Sequence, residues 1–120
     1  MPLFEPRALK TVKAWFAAHG RGDLEAARAL FAETGIVHVT SPDPGASGEV
    51  IGFDAFIEWY AARGGRGAGF AYRLDDLLGN NDRVVAIITL RDEHQQWRQV
   101  AVYEVADGRI TEIWVFEGGP

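Results

Sequence analysis

No cysteine occurs among the 120 residues, which removes disulfides, thiol nucleophiles and cysteine-ligated metals at once. Positive charge is scarce too: twelve Lys and Arg stand against seventeen Asp and Glu, a formal net charge of −5. Nucleic-acid binding leaves a basic footprint, so no nucleic-acid partner is expected. Long apolar runs are missing, none approaching the roughly 20 residues that cross a bilayer. The opening Met1-Pro2-Leu3-Phe4-Glu5-Pro6 lacks the basic region and apolar stretch of a secretory leader. The expectation is a soluble cytoplasmic protein without membrane contact. Repeats and linkers are also absent, so residues 1–120 read as one domain of ordinary size. What is plentiful is apolar and aromatic: 48% of the chain is hydrophobic, with four Trp, seven Phe and three Tyr. That suffices for a core without staples.

Apolar periodicity places helices early and strands late. From about Arg7 to His19, the residues Leu9, Val12, Trp15, Phe16 and His19 recur at helical spacing, with Pro6 suited to the first turn. Asp23 is the N-cap expected for a second helix carrying Leu24, Ala27, Leu30 and Phe31 on one face. A short strand, Ile36 to Thr40, precedes a Pro, Gly, Asp and Ser loop from Ser41 to Gly48. A third helix runs from about Phe53 to Arg63 and joins Phe56, Ile57, Tyr60 and Ala61 on one side, with Gly64 as its C-cap. The run Arg63-Gly64-Gly65-Arg66-Gly67 looks like one copy of an arginine-glycine tract and reads as a loop.

Four segments rich in β-branched and aromatic residues follow: Phe70 to Leu78, Arg83 to Arg91, Gln96 to Val105 and Arg109 to Glu117. Asn80-Asn81-Asp82 and Asp107-Gly108 supply tight turns, so these neighbours must be antiparallel. The order predicts an α+β fold. Val84, Ala86, Ile88 and Leu90 point one way while Val85, Ile87 and Thr89 point the other. A sheet with one wet face alternates more cleanly. Helices are expected on one face and a second subunit on the other, giving a homodimer packed sheet to sheet.

Three stretches carry a resemblance. Gly22-Asp23-Leu24-Glu25-Ala26-Ala27, ending in Leu30-Phe31-Ala32, resembles the second-helix signature of the NTF2-like superfamily. Gly52-Phe53-Asp54-Ala55-Phe56 is similar to the start of its third helix, and the stretch from Val102 to Trp114 to the terminal hairpin of its SnoaL-like branch. The resemblance implies a cone: a curved, mostly antiparallel sheet wrapped around three helices from the N-terminal half, enclosing an apolar cavity. The superfamily holds polyketide cyclases, ketosteroid isomerases, epoxide hydrolases and non-enzymatic modules, so fold alone does not choose among them.

Carried over residue by residue, the isomerase set is absent. Its oxyanion-binding tyrosine falls on Trp15, its aspartate base near Val39, and its second acid near Arg98 or Gln99. The epoxide-hydrolase set meets Thr89, Arg91 and Glu93, with Glu117 near the last strand's end. An Arg91–carboxylate pair can hold a base ionised, although Asp92 and Glu93 read as a solvated turn. Tyr60 matches a pocket-lining tyrosine and either orients a bound carbonyl or hydroxyl or fills the core. Arg98, between Trp97 and Gln99, needs a carboxylate partner or an anionic ligand if it enters an apolar cone; Glu112 and Glu104 are the candidates.

Tyr60, Arg98 and Arg91 are thus the candidate catalytic residues, and Trp15, Val39, Phe56, Tyr72, Trp97 and Tyr103 the candidate ligand contacts. His38 is expected on the outer face, His19 as a helix-end cap, and His94 in an exposed turn. The three show no ligand spacing, so no metal is expected, nor any cofactor. The resulting expectation is binding of an apolar oxygenated small molecule in a cone-shaped cavity. Cofactor-free acid/base cyclisation, isomerisation or hydrolysis is the chemistry the resemblance allows, and whether the chain is an enzyme is left open. The alternative is a non-enzymatic ligand-binding or dimerising module.

Overall fold

The computed structural model describes residues 5–42, 47–62, 71–91 and 96–118, with the backbone alone at 60–62, 71 and 72. Helix α1 spans Arg7–Gly20, with Pro6 one residue before it. Helix α2 covers Leu24–Ala29 and is capped as expected: the Asp23 carboxylate accepts from the Ala26 N–H at 3.1 Å. Strand β1 is Phe31–Thr40, β2 Gly48–Ile51, helix α3 Phe53–Ala62, and then β3 Ala71–Gly79, β4 Arg83–Arg91, β5 Gln96–Ala106 and β6 Arg109–Glu117.

These strands form a six-stranded sheet ordered β2-β1-β6-β5-β4-β3. Every pairing is antiparallel except β1 with β6, which runs parallel. The meander from β3 to β6 follows the expected turns. At Asp107 and Gly108 φ is 53° and 76°, the left-handed pair that a two-residue hairpin requires. The Asn80 side chain accepts from the N–H groups of Asp82 and Arg83 at 2.8 and 2.9 Å and closes the other turn.

Three features depart from the expectation. Helix α2 ends at Ala29, and Phe31 already belongs to β1, which starts five residues earlier than its apolar run Ile36 to Thr40. Strand β2, short and mostly exposed, had no sequence signal and pairs along β1 from Ile36 to Val39. Gly35 explains the early start: a Cβ there would lie 2.5 Å from Cε2 of the Phe31 ring. Only glycine lets Phe31 fold back against its own strand. The expected cap Gly64 and the Arg-Gly run from Arg63 to Gly67 lie outside the described residues, as does His94.

Register irregularities set the curvature. Leu74 pairs with Ile88 and Asp76 with Ile87, leaving Asp75 as an extra residue in β3. Likewise Glu104 pairs with Glu112 and Val105 with Ile110, leaving Thr111 extra in β6. Each bulge shifts the two-residue alternation by one, so Leu74 and Leu77, or Ile110 and Ile113, fall on the same face. The extra residues turn their polar groups to local partners, with the Thr111 hydroxyl donating to the Glu104 carbonyl at 3.1 Å.

The core lies between the sheet's inner face and the helices. Trp15 is only 3% exposed. Its indole stacks on Phe31 at 5.7 Å and meets Phe53 edge-on at 6.1 Å. Val84, Ala86, Ile88 and Leu90 are buried on the inner face opposite Tyr103, Ala101, Gln99 and Trp97. Among the described residues no helix is long and apolar enough to cross a membrane.

Candidate functional site

Between α1, α3 and the inner face of β4 to β6 lies a cavity of about 90 Å³. Helix α1 contributes the neighbours Trp15 and Phe16 and, one turn on, His19, and α3 contributes Phe56 and Trp59. The sheet supplies Ile88, Leu90, Ala101, Ile113 and Val115, with Gln99 and Tyr103 as its polar members. No Asp, Glu, Lys or Arg is among these described lining residues. Phe16 meets the Tyr103 ring edge-on at 5.9 Å. The Gln99 amide donates to Glu117 at 3.4 Å, and the two residues pair across β5 and β6.

His19 lies on the stripe where its spacing put it, yet it lines the cavity and is not the helix-end cap expected. Its ring lies edge-on to Trp15 at 4.3 Å and to Phe56 at 6.4 Å. Burial pushes its pKa down to about 4 from the ordinary 6.5, because a charge in apolar surroundings has lost its hydration. The imidazole is therefore neutral at physiological pH and supplies no cation to the helix dipole, contrary to the capping role expected for it. Nε2 is buried and, among the described residues, has no hydrogen-bond partner. The available signal was a polar residue continuing the stripe Val12, Trp15 and Phe16.

Of the other candidates, Trp15, Phe56 and Tyr103 come together in the cavity wall. Trp97 lies on the same inner face, half-buried against the core, and Val39 is buried beside Val115. Tyr72 pairs with Leu90, and Tyr60 sits in the last turns of α3; the side chains of both lie outside the described residues.

Arg98 and Arg91 are exposed on the opposite, outer face, paired with Thr89 and Gln96. Strand alternation decides this: Gln99 points in, so Arg98 points out. Arg98 does not take Glu112 or Glu104, since Glu104 lies 3.3 Å from Arg83. Its charge instead acts on Asp75. That carboxylate accepts from the Thr89 hydroxyl and from Arg73 Nε at 2.6 Å, which together hold it below the usual carboxylate range.

His38 also lies outward, as expected. Its Nε2 is 2.5 Å from Glu112, its Nδ1 3.1 Å from Glu49, and its ring stacks on Trp114 at 5.5 Å. A second, open groove of about 560 Å³ runs beside α2 and α3. There Arg28 bonds Asp54 at 2.7 Å and covers the Phe53 ring at 5.0 Å. Glu33 and Arg109 line the groove as well, and a wall this charged has little to offer an apolar ligand. Among the described residues no cluster of His, Asp or Glu is arranged to hold a metal ion.

A curved, unclosed six-stranded sheet over three helices, with a cavity between the layers, is the NTF2-like α+β cone. The chain belongs to the SnoaL-like domain family, whose model matches residues 12–113. It is similar in fold to a protein provisionally named a ketosteroid isomerase from Kribbella flavida, with a TM-score of 0.79 and 16% identity over 95% of this chain and 79% of that one. Bal32a, from a soil-derived mobile gene cassette, gives 0.77 and 24% over 92% and 88%. A protein provisionally named a polyketide cyclase from Xanthomonas campestris gives 0.68 and 24% over 93% and 90%. No curated protein matches the chain.

Proposed function

We propose that this protein binds a small, neutral, largely apolar and oxygenated molecule between α1, α3 and the sheet. The observation that carries this reading is an aromatic wall without a charged side chain among its described residues. A charged ligand group would be left unpaired there at considerable cost. At about 90 Å³ the cavity is smaller than the ~150 Å³ that admits benzene. A one-ring ligand therefore enters only in part, its remainder resting on the open side of the cavity. Where proton transfer follows binding, it needs no cofactor and falls to His19 or Tyr103. With its conjugate acid near 4, His19 is a weak base, so its substrate has to carry an acidic proton.

Thermal unfolding with toluene, phenol, indole and cyclohexanone tests the reading. A ligand at 100 times its dissociation constant adds about 2.7 kcal/mol and raises the midpoint by several degrees. Ala101→Leu, which fills the wall from β5, is expected to abolish the shift. A flat response to every probe, or shifts undiminished in that variant, would sink the proposal.

The outer face supports a partner of the same kind. Val100 and Phe116 pair in register and are 36% and 47% exposed, and Leu78 on the same face is 57% exposed. Exposed apolar surface of this sort marks association, and a two-fold interface presents the same patch from both copies. The proposed assembly is a homodimer through this face. Sedimentation equilibrium should show Phe116→Asp shifting the protein to monomer; a monomeric unsubstituted protein at all concentrations would refute the assembly.

A further inference from the structure

The orphaned nitrogen of His19 narrows the ligand. An unpartnered buried polar atom is uncommon and costly, and the groups around this one are aromatic: Trp15 at 4.3 Å and Phe56 at 6.4 Å between ring centres. Neither ring offers a lone pair or an ordinary acceptor. The amide among the described wall residues, Gln99, directs its donor to Glu117 at 3.4 Å. Neutral imidazole exists as two tautomers, so Nε2 carries either a lone pair that needs a donor or an N–H that needs an acceptor. A ketone or an ether serves only the second form, and an ammonium group would bring a charge into an apolar wall. A hydroxyl both donates and accepts, so it completes either tautomer without adding charge.

We propose that the cavity is a site for a small hydroxylated ring, a phenol or cyclic alcohol, whose hydroxyl makes the missing bond to Nε2 of His19. This rests on the binding reading above and adds to it the polar group by which the ligand is chosen. The ring occupies the aromatic wall of Trp15, Phe56 and Trp59, and the hydroxyl lies at the helix end that carries His19.

Phenol and toluene, alike in shape and different in one polar group, are the probes. Calorimetric titration of the whole chain is expected to show phenol bound about tenfold tighter than toluene, the worth of one neutral hydrogen bond. In His19→Leu the ratio of phenol to toluene affinity falls to about one, and an unchanged near-ultraviolet circular dichroism spectrum reports that the variant is folded. A second measurement needs no substitution. In protein labelled with ¹⁵N-histidine, phenol should move the Nε2 resonance of His19 and toluene should leave it in place.

Equal affinities in the unsubstituted protein, as a bound water that phenol fails to displace would give, overturn the proposal. So does a phenol preference that survives His19→Leu, or an Nε2 resonance indifferent to phenol. Toluene binding without discrimination overturns this inference alone, whereas failure of both probes to bind overturns it together with the binding reading.

Discussion

The two faces of the sheet each hold a histidine, and the pair shows how one side chain takes opposite roles. His38, on the outer face, has a carboxylate beside each ring nitrogen and an indole stacked on its plane. His19, at the inner cavity, has aromatic rings around it and, among the described residues, no charged neighbour in the wall and no partner for Nε2. The first is held by partners on adjacent strands and has nothing left to offer. The second sits among rings that offer it no charge or ordinary acceptor, and burial holds it neutral. Residue type alone carries neither outcome; the neighbours decide.

The sharpest way to break this contrast is to remove an aromatic residue from each face. Trp15→Ala should cost about 4 kcal/mol of unfolding free energy, since it removes a buried ring packed on Phe31 and Phe53. Trp114→Ala removes a ring stacked on one partner and should cost nearer 1 kcal/mol. Urea denaturation of both variants measures the difference, and equal losses would mean the outer face is as much a core as the inner one.

Acid titration probes the inner histidine next. Its folded-state pKa, about 4, lies below the unfolded value of 6.5. Between these pH values the unfolded chain takes up the proton that the folded chain refuses, so stability present above pH 6.5 is lost as pH falls towards 4. The loss reaches at most about 3 kcal/mol. In His19→Leu this part of the pH dependence disappears, which denaturation curves from pH 7 to 4.5 will show as a difference between the two proteins. A parallel decline in both would mean that the imidazole is hydrated after all.

A smaller effect is expected outside. Glu112→Gln weakens one partner of His38 and should cost roughly 0.5 kcal/mol, with no change in the affinity for a cavity ligand. The smallest effect belongs to Asp75, whose carboxyl is held low by Thr89 and Arg73. Its contribution is present above about pH 4 and fades below, so Asp75→Asn should lose stability at pH 7 and converge with the unsubstituted protein in strong acid.

Much of the architecture was legible because its signals are local. Asp23 before a helical stripe, Asp107-Gly108 between alternating strands, and doubly apolar β4 each imply a geometry within a few residues. Strand β2 and the early start of β1 were not, because Phe31 and the residues after it look helical until Gly35 and a partner strand are taken into account. The bulges at Asp75 and Thr111 are equally silent: Leu74 and Leu77 share a face only once an extra residue is known to interrupt the alternation. That interruption lies beyond any rule of spacing.

The site was legible in its aromatic part, where Trp15, Phe56 and Tyr103 reach the cavity from three elements. Its polar part was not. Arg98 and Arg91 carry the chemistry a reader looks for, yet strand parity sends them outward. His19 carries less obvious chemistry and sits at a helix end, where a dipole explanation is at hand. Its desolvation depends on α3 closing over it, a contact between segments distant in the chain.

The parallel pairing of β1 and β6 has a consequence for how the protein is made. Strand β6, last in chain order, takes an interior position in the sheet, with β1 on one side and β5 on the other. Without β6, the β1–β2 pair and the β3–β5 meander share no strand contact, and each presents an edge open to a wrong partner. Only the arrival of residues Arg109–Glu117 joins them, by a contact spanning most of the chain, and such joins are slow. Until that join forms, both edges stay open to pairing with other chains, which makes β6 docking the step at which aggregation competes with folding.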